Sequence, residues 1–125
     1  MQKITIIVTT LIFLLYSCAE NAGTGGNNTI IATAKHHGLI IPEATIYIKY
    51  NAKEFPGENL SLYDDYKTAG KDGRVKFEGL KRGDYYFYGI GYDSTIKQTV
   101  VGGIPVQLLQ KAGEKLIDVP VTEGD

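Results

Sequence analysis

The sequence predicts an all-β fold, a Greek-key sandwich of about seven strands. From Thr29 onward, short apolar runs alternate with turn signals, and no window shows sustained helical periodicity. Fifteen Gly and nine Tyr residues favour turns and strands over helices. A length of 125 residues with 43% hydrophobic residues suits one small domain with a modest core.

The first 17 residues are predicted to be the signal peptide of a lipoprotein. An apolar run extends from Ile4 to Leu15, which is the length of a signal-peptide core and short for a bilayer span. It ends in Leu-Tyr-Ser-Cys, which resembles the lipobox of bacterial lipoproteins. The resemblance implies cleavage before Cys18, the only Cys of the chain, and its acylation. Two or three acyl chains, at ~0.8 kcal/mol per buried CH₂, form a stable membrane anchor.

Residues 18–28 are small, polar and rich in Gly and Asn, so we expect a flexible tether there and the folded domain at 29–125. Some Bacteroidota-type lipoproteins carry an acidic cluster after the acylated Cys, and Glu20 is the acidic residue nearest to it. The expected location is the bacterial cell envelope, at the outer membrane, on either its periplasmic or its surface face.

The domain divides into predicted strands at 29–35, 44–50, two hairpin arms within 63–80, 83–93, 95–110 and 114–122. Residues 44–50 alternate, with Ile46 and Ile48 on the inward side and Tyr47 on the other. The hairpin turn is expected at 71–73, because Asp-Gly favours tight primed turns. Gly-Gly at 102–103 is expected to kink its strand.

The run from Gly38 to Asp93 resembles the transthyretin-like (prealbumin-like) sandwich of carboxypeptidase regulatory-like and collagen-adhesin B-type domains. The matching features are Gly38, Pro-Glu-Ala-Thr before an alternating strand, and "DGRVKFEGL" followed by Gly83-x-Tyr85. The resemblance implies an Ig-like sandwich in which the strand from Ala44 pairs with the strand from Tyr85. It says little about function, because this fold serves many.

Two activities of these families do not fit the residues. In the adhesin isopeptide, a buried Glu assists a Lys on the first strand, whereas Gly89 stands at the Glu position and the first strand is apolar inside. Asp118 matches the acceptor position, but we expect it to have no partner. Hydroxyisourate hydrolases need paired catalytic histidines and a C-terminal Tyr-Arg-Gly-Ser, whereas His36 and His37 are adjacent and the chain ends VTEGD.

No metal or cofactor is expected. Adjacent histidines in a turn tend to point apart, so His36 and His37 are interpreted as turn residues rather than ligands. Arg-Gly-Asp at 82–84 spells the integrin tripeptide but is interpreted as part of a turn. Four aspartates lack the spacing of a calcium loop and are interpreted as turn formers: Asp64, Asp65, Asp72 and Asp93.

The aromatic strand provides the candidate binding site. Its period of two places Tyr85 and Phe87 on one face and Tyr86 and Tyr88 on the other. The family resemblance implies that Tyr85 and Phe87 point into the core, that Tyr86 and Tyr88 face outward, and that Tyr47 lies beside them on the neighbouring strand. The outward tyrosines are either a patch for a sugar ring or a protein, or cross-strand pairs that stabilise the sheet.

We therefore expect a non-enzymatic, lipid-anchored interaction module that binds a protein partner of the envelope. The alternative is a small carbohydrate- or glycopeptide-binding lipoprotein that uses Tyr47, Tyr86 and Tyr88. A net charge of −1 disfavours nucleic acid as a partner. No Ser, Cys or Thr stands in a recognisable arrangement with a base, so the sequence does not predict an enzyme.

Overall fold

The computed structural model describes residues 21–123. The predicted signal peptide and the predicted acylation of Cys18 lie outside these residues. The predicted all-β class is confirmed: two packed sheets of four and five strands form a sandwich. None of the helical structure between residues 21 and 123 is long and apolar enough to cross a membrane.

The described chain forms nine strands rather than about seven, because two short edge segments add to the predicted set. In order they are β1 (Thr24–His36), β2 (Leu39–Ile40), β3 (Thr45–Tyr50), β4 (Asp65–Thr68), β5 (Arg74–Leu80), β6 (Gly83–Asp93), β7 (Gln98–Leu108), β8 (Ala112–Pro120) and β9 (Thr122–Glu123). One sheet places β1 between β8, which is parallel to it, and the antiparallel β5 and β2. The other has the order β4-β3-β6-β7-β9.

The first strand begins earlier than predicted, so residues 24–28 belong to the sandwich and not to a tether. Asn28 is fully buried, and its Nδ2 donates a hydrogen bond to the Gln110 carbonyl at 2.8 Å. Gly26 passes so close to β5 that a Cβ would lie 2.4 Å from the Leu80 carbonyl oxygen. The Gly- and Asn-rich composition that indicated a flexible linker therefore serves an irregular strand with close backbone contacts.

The predicted hairpin within 63–80 is wrong, although its turn is present. The Gly73 amide donates to the Gly70 carbonyl at 3.1 Å, and Gly73 has a φ of 73°. However, β4 pairs with β3 in one sheet, whereas β5 pairs with β1 in the other. The reason lies just before the turn, where the Ala69 amide bonds back to the Ala44 carbonyl at 2.8 Å. The chain thus crosses between the sheets instead of folding back on itself.

The predicted core is confirmed where the alternation was strongest. Ile46 and Ile48 of β3 are fully buried, and Ile48 lies opposite Phe87 in the predicted pairing of β3 with β6. The Phe77 and Phe87 rings pack across the two sheets with centroids 5.7 Å apart. Burial of these side chains at roughly 25 cal/mol per Å² of apolar surface is the main force that holds the sheets together.

The Gly-Gly pair does not interrupt β7, which runs continuously from Gln98 to Leu108. Instead, both glycines allow close packing. A Cβ on Gly102 would lie 2.2 Å from the Pro120 carbonyl oxygen, and one on Gly103 would lie 2.6 Å from Cε1 of Tyr86. The missing side chains therefore make room for the end of β8 on one face and for an aromatic ring on the other.

The start of β6 carries a tyrosine corner. The Tyr85 hydroxyl donates to the Lys81 carbonyl at 2.6 Å and accepts from the Gly23 amide at 2.9 Å. Such a bond to the backbone a few residues upstream is a feature of Ig-like sandwiches. Gly83 has a φ of 146°, and a Cβ there would lie 2.8 Å from that of Ala22. The glycine of the Arg-Gly-Asp sequence is thus required by packing, in line with the turn interpretation.

Candidate functional site

The outer face of the β3–β6 sheet is where the sequence placed its tyrosine patch. The register agrees with the prediction, since Tyr47 lies opposite Tyr88 and Lys49 lies opposite Tyr86. The expected exposure is wrong, because Tyr86 and Tyr88 are only 8% and 6% exposed. Of the three predicted patch residues, Tyr47 alone is partly open to solvent.

The segment between β3 and β4, residues 51–64, covers the two buried tyrosines. The Phe55 ring lies 5.2 Å from that of Tyr88 and 6.0 Å from that of Tyr86, measured between centroids. The Tyr63 ring stacks on Tyr88 at 5.8 Å with an interplanar angle of 16°. Phe55 and Tyr63 were the sequence signal that this segment packs on the sheet.

A groove remains open beside this cover, and it has a volume of about 440 Å³. The Tyr47 ring is central, with its centroid 5.3 Å from that of Tyr66 and 5.8 Å from that of Tyr63. Burial raises the pKa of Tyr63 to about 12, so its hydroxyl remains a neutral donor and acceptor at physiological pH. Four further residues complete the lining: Leu60, Ser61, Asp64 and Asp65.

The outer surface of the same region is unusually apolar for a connecting segment. Phe55, Leu60, Leu62 and Tyr66 are 47%, 39%, 44% and 60% exposed. We call these four side chains the cover patch. Loops normally present polar side chains to water, so four large apolar groups within twelve residues need a reason.

A second cluster, of histidine and carboxylate side chains, lies beside β9 at the point where β1 and β6 end. His36 and Leu39 flank a two-residue turn in which His37 and Gly38 have φ values of 51° and 81°. Positive φ at both central residues defines a type I′ turn. The turn keeps the two imidazoles together, with ring centroids 4.2 Å apart. The expectation that the histidines point apart is therefore wrong.

His36 is 4% exposed and lies between two carboxylates. Its Nδ1 is 2.8 Å from Oδ2 of Asp93, and its Nε2 is 2.7 Å from Oε1 of Glu123. The hydrogen bond to Asp93 is the main cause that raises the pKa of His36, against burial, which lowers it. Hydrogen bonds from Thr95 and then from His36 lower the pKa of Asp93 to about 2.

The four candidate aspartates do not converge on a common site. Asp72 accepts a hydrogen bond from the Arg74 amide two residues on, as a turn-forming residue does. Asp65 instead begins β4, and Asp64 accepts from the Tyr50 amide of β3 at 2.7 Å, so neither is a turn former. Asp93 also bonds within its own loop, yet it additionally holds His36, which the sequence did not indicate.

Asp118 has a partner that was not expected, because Nζ of Lys35 lies 3.2 Å from its Oδ2. The two side chains are 32% and 63% exposed, so this is a surface ion pair. The inward residues of β1 are apolar as predicted, including Ile30, Ala32 and Ala34.

Comparison with known proteins gives no family assignment. A scan against protein-family models and a search of curated proteins both find no match for this chain. The candidate sites are therefore interpreted from their own contacts and charges.

Proposed function

We propose that the chain is a non-enzymatic lipoprotein of the bacterial cell envelope whose transthyretin-like sandwich binds a protein partner through the cover patch. The observation that carries the proposal is the exposure of Phe55, Leu60 and Leu62 on the segment 51–64 and of Tyr66 on the adjoining strand β4. Apolar surface of this kind is stabilised by being covered, and buried aromatic and aliphatic anchors dominate the affinity of protein interfaces.

The charges around the cover patch specify the partner further. Residues 53–67 carry four acidic side chains, Glu54, Glu58, Asp64 and Asp65, against two lysines, and within residues 21–123 Asp64 alone of the four is paired, with Lys49 at 3.7 Å. A partner with an apolar anchor rimmed by Lys or Arg would be attracted and oriented by this acidic border. Both ring nitrogens of His36 already face carboxylates, which argues against a general base and supports a binding role.

Photo-crosslinking in cells tests the proposal. A crosslinking amino acid is placed at Leu62 or Tyr66, and a control is placed at Lys76, on the outer face of the opposite sheet. We expect one dominant protein adduct from the two patch positions and none from Lys76. Leu60→Asp should abolish the adduct at Tyr66 while the melting temperature is retained. The same products from both faces, or adducts that persist in Leu60→Asp, would contradict the proposal.

A glycan is the second candidate ligand, and the groove favours it. Aromatic faces stack on sugar rings, and carboxylates accept hydrogen bonds from sugar hydroxyls. The groove contains both kinds of group: Tyr47, Tyr66, Asp64 and Asp65. In this candidate, the tyrosines that stack on the sugar are Tyr47, Tyr63 and Tyr66. The buried Tyr86 and Tyr88, which the sequence had suggested, do not take part.

Binding to soluble cell-envelope glycans tests this candidate. Tyr66→Ala should remove saturable binding with little effect on folding, because the side chain is 60% exposed. Tyr92→Ala is the matched control, since Tyr92 is 54% exposed and does not line the groove. Equal binding by both variants would exclude the groove as a sugar platform.

The anchor is tested separately from the ligand. Cys18→Ala should move the protein from the membrane fraction to the soluble fraction, because the acyl chains are attached at this thiol. Retention of the variant in membranes would contradict the lipoprotein proposal and leave the binding proposals to their own tests.

A further inference from the structure

The cluster around His36 lies outside the cover patch and the groove, so neither binding proposal uses it. One ligand atom from each of His36, His37 and Glu123 lies within 4.8 Å of the other two. Two imidazoles and one carboxylate form the ligand set of many zinc sites that keep a fourth position open. Imidazole and carboxylate together suit borderline dications such as Zn²⁺.

The distances are close to those that coordination requires. Ligand atoms bound to Zn²⁺ at ~2.0–2.1 Å in a tetrahedron lie about 3.4 Å from one another. Nε2 of His36 and Oε1 of Glu123 are already within 2.7 Å and need only separate slightly. His37 is exposed, so its ring can turn towards the other two ligands without repacking the core.

Asp93 supplies the supporting contact that metal-bound histidines usually have. Its Oδ2 faces Nδ1 of His36 at 2.8 Å, which directs Nε2 towards Glu123. Its other oxygen accepts from the amide and the hydroxyl of Thr95, at 2.9 and 2.6 Å. Such a carboxylate fixes the tautomer and the orientation of the ligating imidazole.

The charge of the cluster also accommodates a dication. Two carboxylates, those of Asp93 and Glu123, face the two ring nitrogens of His36. A divalent ion at Nε2 would therefore have two negatively charged groups beside it, which offset its two charges.

We propose that His36 Nε2, His37 and Glu123 bind a borderline divalent cation, for which Zn²⁺ is the probe, and that Asp93 orients His36. One coordination position stays open on the solvent side, where His37 is exposed. The ion therefore connects the turn between β1 and β2 with β9.

Zinc titration of the full chain, purified in detergent and stripped with EDTA, tests the site. The chain has two histidines, so their C2 protons give two resolvable NMR signals. We expect saturable binding of one Zn²⁺ with shifts of both signals. Cys18→Ala is titrated in parallel and should behave identically, which excludes the only thiol as the ligand.

The decisive variant is His37→Asn. Asn-Gly is the preferred pair for a type I′ turn, so this variant removes the ligand and keeps the fold. We expect at least about tenfold weaker zinc binding in His37→Asn and Glu123→Gln, and a loss of ~10–100-fold in Asp93→Asn. Glu78→Gln, on an exposed position of β5, is the control and should bind as the wild type does.

Three results would each overturn the proposal: no saturation below ~1 mM Zn²⁺, saturation without a shift of both histidine signals, or unchanged affinity in His37→Asn. The first result would show that the cluster is a structural ion pair between His36 and its two carboxylates, and the last would show that His37 is not a ligand.

Discussion

Replacement of Tyr85 by Phe tests the tyrosine corner with the loss of a single oxygen atom. The ring stays in the core, where the residue is fully buried, but the hydroxyl no longer accepts from the Gly23 amide or donates to the Lys81 carbonyl. Each hydrogen bond contributes about 1 kcal/mol net, and a buried amide left without a partner costs ~1–3 kcal/mol. We therefore expect a loss of about 2–3 kcal/mol in the free energy of unfolding.

The assay is urea unfolding followed by near-UV circular dichroism, together with the thermal midpoint. For a domain of this size, ~1 kcal/mol corresponds to about 4 °C or more, so the midpoint should fall by at least ~8 °C. Tyr92→Phe on the same strand is the control, because its side chain is 54% exposed, and it should change stability by less than ~0.5 kcal/mol. Equal effects of the two substitutions would refute the assignment of the hydroxyl as a structural link.

Two further predictions concern the His36 cluster and the glycine pair. In EDTA, the raised pKa of His36 contributes stability that is fully present below pH 6.5 and is lost as the pH rises through the raised pKa of the folded protein. The pKa of Asp93, lowered from 3.8 to about 2, contributes stability that is lost as the pH falls towards 2. The melting temperature should therefore be highest between these limits, and His36→Gln should flatten the decline on the alkaline side. Gly103→Ala should cost ~1–3 kcal/mol, because its Cβ would collide with the Phe87 carbonyl oxygen at 2.4 Å and with the Tyr86 ring at 2.6 Å. Gly70→Ala is the control in the same unfolding assay and should be nearly neutral, because its Cβ would meet only an atom of Asp72 at 3.8 Å.

Prediction from the sequence succeeded where a short period decides the structure. The alternation of β3 places Ile46 and Ile48 inside. In β6 the same rule separates Tyr85 and Phe87 from Tyr86 and Tyr88, and the family resemblance correctly assigned the first pair to the core. The exposure predicted for Tyr86 was wrong, because alternation assigns a side chain to a face of the sheet but does not show whether another segment covers that face. The path of an irregular segment such as 51–64 has no period from which it can be derived.

The His36 cluster was missed for a related reason. Its two carboxylates are 57 and 87 residues away along the chain, and only the completed sandwich brings them to the end of β1. A positive-φ turn of His and Gly was the one local hint, since His tolerates that region better than most residues. The early start of β1 was missed because Gly and Asn by themselves indicate a linker. Here the backbone of these residues pairs with β5 and β8, which are distant in the sequence.

The early start of β1 also limits the length of the segment between Cys18 and the folded domain. The Ala22 amide is already bonded to Asn51 at 2.9 Å, and three residues separate Ala22 from Cys18. On the lipoprotein proposal, four steps of at most ~3.6 Å would hold Ala22 within about 14 Å of an acylated Cys18, whereas the 13 residues of β1 span roughly 40 Å. The end of the sandwich that carries Lys81 and Lys111 would then be the end nearest the anchor, and the His36 cluster would lie at the other end of β1.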